Sequence, residues 1–163
     1  MFVHATHQEP LQAHVPGRGF LPAPKWQSGK HQVNTHARPH CVSPYQIQQP
    51  QGKLVCVVQG EVFDVAVDIR KSSPTFGQWV GEILSEENKR QMWVPEGFAH
   101  GFLVLSDAAE CLYKTTDYFA IDHERVIAWN DSARNIDWLL TDTPILSTKD
   151  QSGTSLKSAE VFA

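Results

Sequence analysis

Between Lys53 and Phe119 apolar and polar residues alternate with the period of a β-strand, and segments containing Gly or Pro cut the alternation at short intervals. "KLVCVVQGEVFDVAVDIR" gives two strand-like runs joined by a short turn at Gly60, a hairpin signature, with Phe63, Val65, Val67 and Ile69 on one face. "KSSPTFGQ" breaks the pattern, "WVGEILS" resumes it, and "EENKRQ" reads as a charged turn. "MWVPEGFAHGFLVLS" carries a turn from Pro95 to Gly97 between two apolar runs. "AECLYKTTDYF" then sets Cys111, Tyr113, Thr115 and Asp117 opposite Leu112, Lys114 and Thr116. Short strands at this spacing, with few helical periods, predict an all-β fold: a sandwich, a jelly roll or a small barrel. The tail containing "TPILSTKDQSG" is expected to form a short helix after Asp150.

The first 50 residues are built differently. They hold six of the eight histidines and seven of the ten prolines, and they sustain no period of two or of 3.6. This segment reads as loop, extended arm or poorly ordered chain. A shift in composition this sharp marks an arm that wraps a partner subunit, a non-native extension, or a stretch whose reading frame has been altered.

At 163 residues the chain is long enough for one domain with a real core and short for two. No apolar run approaches the roughly 20 residues of a membrane span, and "MFVHATHQEP" lacks the layout of a signal peptide, so a cytoplasmic protein is expected. Cys41, Cys56 and Cys111 are far apart and form no CxxC pair, which suits reduced thiols. A net charge of −4 without a basic run argues against a nucleic-acid surface and for a small-molecule or protein partner.

Few groups in the β region can do chemistry. His100 in "VPEGFAHGF" reads as a structural histidine, a hydrogen-bond donor to a ligand, or a base. Its only companion there is His123, and no HxH or HxxxH pair occurs, so no metal site is expected. Tyr113 is either a core tyrosine or a general acid, because a phenol near a charged partner can donate a proton across a pocket. Lys53 is a solvated strand-end lysine or, if it faces inward, a cation for an oxyanion or enolate. Asp150 is a helix cap or an acid that orients a histidine.

In order along the chain, "GEVFDVAVDIR", "SPTFGQWVG" and "PEGFAHGF", followed by "IDW" and "LSTKD", closely resemble the dTDP-4-dehydrorhamnose 3,5-epimerase family. The resemblance runs from Tyr45 to Asp150 and divides the chain into an atypical segment 1–44 and an epimerase domain 45–163. It implies a cupin-like jelly roll (a double-stranded β-helix), a homodimer, and catalysis without metal or organic cofactor. It implies inversion at carbons 3 and 5 of dTDP-4-dehydro-6-deoxy-D-glucose to dTDP-4-dehydro-L-rhamnose, in the biosynthesis of dTDP-L-rhamnose. Carried over position by position, Tyr113 matches the proton donor, Asp150 the acid that orients the basic histidine, and Lys53 the lysine near the enolate. His100, Glu124 and Lys149 match positions lining the sugar-nucleotide site, and Phe119 stands where the family stacks a ring on thymine.

The family's base lies in a motif of the form R-G-L-H-Y-Q, and this chain reads "CVSPYQ". Tyr45 and Gln46 align, so Pro44 stands in place of the histidine and Cys41 in place of a phosphate-binding arginine. Proline offers no base, and cysteine cannot make an arginine's bidentate contact. "GRGFL" around Arg18 and "NTHAR" around His36 echo the N-terminal motifs too faintly to transfer roles. His40 is four residues before Pro44, about 13 Å along a strand, too far to substitute. Impaired epimerisation is therefore expected of this chain. The alternatives are a non-catalytic module that binds nucleotide sugar or dimerises, and a 3-epimerase on a related 4-keto sugar.

Overall fold

The computed structural model describes the backbone of residues 2–4, 12–13, 32–37, 41–42, 44–140 and 143–163, with side chains from residue 44 onward. Among these residues the strands are β1 (Phe2–His4), β2 (Gln12–Ala13), β3 (Gln32–Ala37), β4 (Cys41–Val42), β5 (Pro44–Gln46), β6 (Lys53–Gln59), β7 (Glu61–Asp68), β8 (Trp79–Ser85), β9 (Gln91–Val94), β10 (Phe98–Val104), β11 (Ala108–Thr115) and β12 (Glu124–Val126). A 3₁₀ turn at Ile121–His123 and a helix α1 (Thr148–Gln151) complete the list.

The strands form a six-stranded sheet ordered β2-β1-β9-β6-β11-β3, a four-stranded sheet ordered β4-β10-β7-β8, and a β12-β5 pair. From β6 to β11 the chain passes back and forth between the two larger sheets, which is the winding of a jelly roll. The all-β expectation holds. The hairpin expected around Gly60 does not: β6 pairs with β9 and β11, and β7 pairs with β8 and β10. Alternation reports that a strand exists and which residues share a face, but not its partner. At Gly60 the backbone takes φ +77°, and a Cβ there would lie 2.2 Å from the Ala108 carbonyl oxygen. This single glycine lets the chain leave one sheet for the other.

β7 explains why the sheets stack as they do. Val62 and Ala66 point into a cluster shared with Val55 and Val57 of β6, Met92 and Val94 of β9, and Cys111 of β11. Phe63, Val65 and Val67 point the other way, into a second cluster closed by Tyr45, Ile127, Trp138 and Leu156. The four-stranded sheet is thus buried on both faces, inward by its partner sheet and outward by the C-terminal chain. Phe63 meets Trp79 and Trp138 edge-on, with ring centroids 6.5 and 6.4 Å apart.

The break "DIRKSSPTFG" is held by one carboxylate. Asp68, fully buried, accepts from Arg70 Nε at 2.9 Å, from the second guanidinium nitrogen at 2.7 Å, and from the Ser73 and Thr75 hydroxyls at 2.6 Å each. Arg70 also lies over the Phe98 ring at 4.7 Å and packs on Gly97, whose φ is +85°. The β7–β8 loop and the turn before β10 are thereby joined.

The N-terminal pieces pair at sheet edges: β1 runs parallel to β9, β3 antiparallel to β11, and β4 antiparallel to β10. The reading of that segment as loop, extended arm or poorly ordered chain falls mostly on residues outside the described set.

Candidate functional site

Strand alternation sorts the candidate residues by face. On β6, Lys53 shares the inward side of Val55 and Val57. On β11, Tyr113 follows Cys111 and packs against the same cluster. Lys53 lies opposite Thr115 and Tyr113 opposite Val55, so Lys53 and Tyr113 are diagonal neighbours, about 7–8 Å apart on the same side of adjacent strands. From the facing sheet come His100 of β10, between the inward Phe98 and Phe102, and Asp64 of β7, between Val62 and Ala66.

His100 and Asp64 form a buried pair. The imidazole Nε2 is 2.5 Å from Asp64 Oδ1, with His100 only 5% exposed and Asp64 not exposed at all. The other carboxylate oxygen, Oδ2, is buried and has no hydrogen-bond partner among the described residues.

Burial pushes the Lys53 ammonium down to about 8, because a desolvated cation is disfavoured. The nearby Glu124 and Asp64 carboxylates pull it back up, and Lys149 adds a smaller downward push. Lys53 thus stays mostly cationic at neutral pH while being easier to discharge than an exposed lysine.

A second group sits at the mouth. Lys149 donates to both oxygens of Glu124, at 2.7 and 2.8 Å, linking α1 to β12. Both residues line an open groove of about 240 Å³ that continues over Arg125, Val126 and Thr154. The helix begins before Asp150, not after it as expected, because Ser147 caps it: Ser147 Oγ accepts from the Asp150 N–H at 3.2 Å. Ser147 in turn donates its hydroxyl proton to Asp150 Oδ2. Asp150 is therefore the capped residue rather than the cap. It is 4% exposed, and its Oδ1 has no partner among the described residues.

Phe119 lies 58% exposed on the loop after β11, beside Tyr118 at 54%. Gln46 fastens that loop, accepting from the Ala120 N–H at 2.5 Å and donating to the Gln49 carbonyl at 2.9 Å. On β5 the faces alternate, so Pro44 shares the side of Gln46, whereas Tyr45 turns into the second cluster. Tyr45 donates to the Glu160 carbonyl at 2.5 Å, and burial raises its phenol to about 12, Arg125 opposing and Glu160 assisting. Its alignment with the site motif thus places an anchor for the C-terminal chain, not an interior group.

The structure brings Lys53, Tyr113 and His100 onto the interior faces, and Glu124, Lys149 and Asp150 to the C-terminal side. Asp64 was missed by the sequence reading. Its signal was a lone carboxylate between two aliphatic neighbours on one face of β7. Among the described residues no cluster of three His, Cys, Asp or Glu side chains could hold a metal ion.

Residues 43–158 match the family model for dTDP-4-dehydrorhamnose 3,5-epimerase. The chain belongs to the dTDP-4-dehydrorhamnose 3,5-epimerase family. A family relative from Pseudomonas aeruginosa, a dTDP-4-dehydrorhamnose 3,5-epimerase, is 65% identical over 118 residues, covering 72% of this chain and 65% of that protein. One from Methanothermobacter thermautotrophicus is 48% identical over 120 residues, covering 72% and 65%. The chain therefore spans just under two thirds of the length of these relatives. The fold is that of the family's crystal structures: the Legionella pneumophila dTDP-6-deoxy-D-glucose-3,5-epimerase in complex with dTDP-4-keto-L-rhamnose matches at TM-score 0.79 and 51% identity, over 80% of this chain and 70% of that one. A 3'-monoepimerase from Streptomyces bikiniensis in complex with dTDP-quinovose matches at TM-score 0.76 and 28% identity, over 80% and 67%. The cupin-like jelly roll expected from the sequence is thus the observed fold. The family match begins at residue 43, beside the break in composition.

Proposed function

We propose that residues 45–163 form a sugar-nucleotide epimerase domain whose substrate is dTDP-4-dehydro-6-deoxy-D-glucose and whose product is dTDP-4-dehydro-L-rhamnose. The observation that carries this reading is the pairing of Lys53 and Tyr113 on one interior face of a fold in this family. The carbon-4 ketone acidifies the C–H bonds at carbons 3 and 5. Removal of either proton leaves an enolate whose charge rests on oxygen 4, and a proton returned from the opposite face inverts the centre. Lys53 is the cation for that oxygen, and its partial desolvation strengthens the contact. Tyr113 is the proton donor. His100 contacts the sugar, Glu124 and Lys149 line the nucleotide side, and Phe119, exposed on its loop, stacks on the base. No cofactor enters this scheme. The domain works as a homodimer in the cytoplasm; no helix among the described residues is long and apolar enough to cross a membrane.

The proton acceptor is the weak point. Pro44 pairs with Val126 of β12, Val126 O accepts from Thr154 N, and Gly153 N reaches back to Asp150 O at 3.4 Å, so one short ladder joins position 44 to Asp150. At one end stands a residue without a base, and at the other a buried carboxylate oxygen without a donor among the described residues. Both fit an epimerase domain that has lost its base. An altered reading frame upstream of residue 45 accounts for the loss together with the histidine- and proline-rich composition. The same observation favours a second reading, a domain that binds the nucleotide sugar without turnover. Likeness to a monoepimerase supports a third, inversion at carbon 3 alone.

Titrating dTDP by calorimetry and following solvent deuterium into the 4-keto sugar separates these readings. Binding with slow exchange at carbons 3 and 5 supports impaired epimerisation, binding without exchange supports the module, exchange at carbon 3 alone supports the monoepimerase, and no binding contradicts all three.

A further inference from the structure

The carboxylate of Asp64 stands where a jelly-roll core has most reason to place an aliphatic side chain. Its neighbours on the same face of β7, Val62 and Ala66, are as fully buried as it is. One oxygen meets His100 Nε2 at 2.5 Å, and the other has no partner among the described residues. A buried oxygen left without a hydrogen bond is destabilising, so packing gives no reason for this residue. The carboxylate does have electrostatic consequences. It is one of two that hold Lys53 up against burial, and it adds to the burial that pushes the Cys111 thiol up to about 12.

We propose that Asp64 is a positioning residue for the interior site: it accepts the His100 Nε2–H, which commits Nδ1 to face the ligand. The ring nitrogen opposite a fixed hydrogen bond is the one whose protonation that bond decides. Nδ1 of His100 makes no hydrogen bond to the described residues and is the nitrogen that remains for a sugar oxygen. The groups that sense the same charge are His100 on β10, Lys53 on β6 and Cys111 on β11. β9 contributes none. This deepens the epimerase reading and rests on it for the identity of the ligand alone.

Two substitutions in the full chain separate the hydrogen bond from the charge. Asp64→Leu removes both at similar volume, while Asp64→Asn keeps an acceptor for Nε2–H and removes the charge. Nitrogen-15 spectra of histidine-labelled protein, with His100→Gln to assign the signal, read the protonated ring nitrogen. Carbon-13 labelling of the lysine ε-carbons reads the titration of Lys53. The expected result is Nε2 protonated in the parent and in Asp64→Asn, with that preference lost in Asp64→Leu. Lys53 should titrate lower in Asp64→Asn than in the parent, because the Asp64 charge opposes the effect of burial. An unprotonated Nε2 in the parent or in Asp64→Asn, or an unchanged nitrogen pattern in Asp64→Leu, would each overturn the proposal. If Asp64→Leu does not fold, the parent spectrum and Asp64→Asn still decide. Neither readout needs turnover, so an inactive chain tests the proposal as well as an active one, and failure of the epimerase reading remains a separate result.

Discussion

Lys53 shows at the level of one residue how a site conflicts with the stability of its own fold. Its ammonium titrates near 8 in the folded chain against 10.5 when exposed, so between those values the unfolded chain binds more protons. Stability therefore rises with pH across that window, and below it the buried charge is a constant cost. Replacing Lys53 by Met is expected to stabilise the protein at pH 7 by roughly 1–3 kcal/mol and to abolish the rise between pH 8 and 10.5. Urea unfolding at several pH values measures both. An unchanged pH slope would place the Lys53 ammonium in water. The sequence presented Lys53 with two readings, a solvated strand end or an inward cation, and alternation with Val55 and Val57 decides for the second. Asp64 was illegible for the converse reason. β7 is buried on both faces, and the alternation of Phe63, Val65 and Val67 marks only one of them, leaving the burial of Asp64 on the other unannounced.

At the level of elements, the strands were legible and their partners were not. The alternation placed β6 to β11 nearly residue by residue, but pairing depends on turn geometry, and Gly60 turns the chain out of one sheet into another. Gly60→Ala is expected to cost about 1–3 kcal/mol, since φ +77° and the Ala108 carbonyl both oppose a Cβ; the urea midpoint reads it. The loop between β7 and β8 has its own anchor. Burial alone would raise the Asp68 carboxyl, yet hydrogen bonds from Arg70, Ser73, Thr75 and the Arg70 N–H hold it at about 2 against 3.8 unperturbed. With the folded value the lower one, this stabilisation is complete above pH 4 and is lost as the pH falls towards 2. Asp68→Ala is expected to destabilise by about 3–5 kcal/mol, because the part-buried Arg70 guanidinium would lose its carboxylate and the Ser73 and Thr75 hydroxyls their acceptor. Its acid limb should also be flatter between pH 4 and 2. The N-terminal strands β1 to β4 left no trace in the pattern, because that segment sustains no period of two. The helix displaced to Thr148–Gln151 has its own cause: its start is set by the Ser147 hydroxyl, while attention to Asp150 as a cap moved it downstream.

For the whole molecule, the break in composition falls beside the start of the family match. From residue 43 to 158 the chain matches an epimerase family and folds as its members do, and the roles proposed for Lys53, Tyr113, His100, Glu124, Lys149 and Asp150 all fall in that stretch. Upstream, the composition changes, and the base and phosphate clamp expected at positions 44 and 41 are Pro and Cys. We propose that the downstream domain supports epimerisation once a base is supplied, and that the segment at positions 41 to 44 withholds it. Restoring Cys41→Arg and Pro44→His together and following deuterium from solvent into carbons 3 and 5 of dTDP-4-dehydro-6-deoxy-D-glucose tests it most directly. The expected result is exchange at both carbons in the double variant, at least about a hundred times faster than in the parent, the contribution of a positioned general base. Equal rates in the two proteins, or a folded, dTDP-binding variant that exchanges at neither carbon, would contradict it.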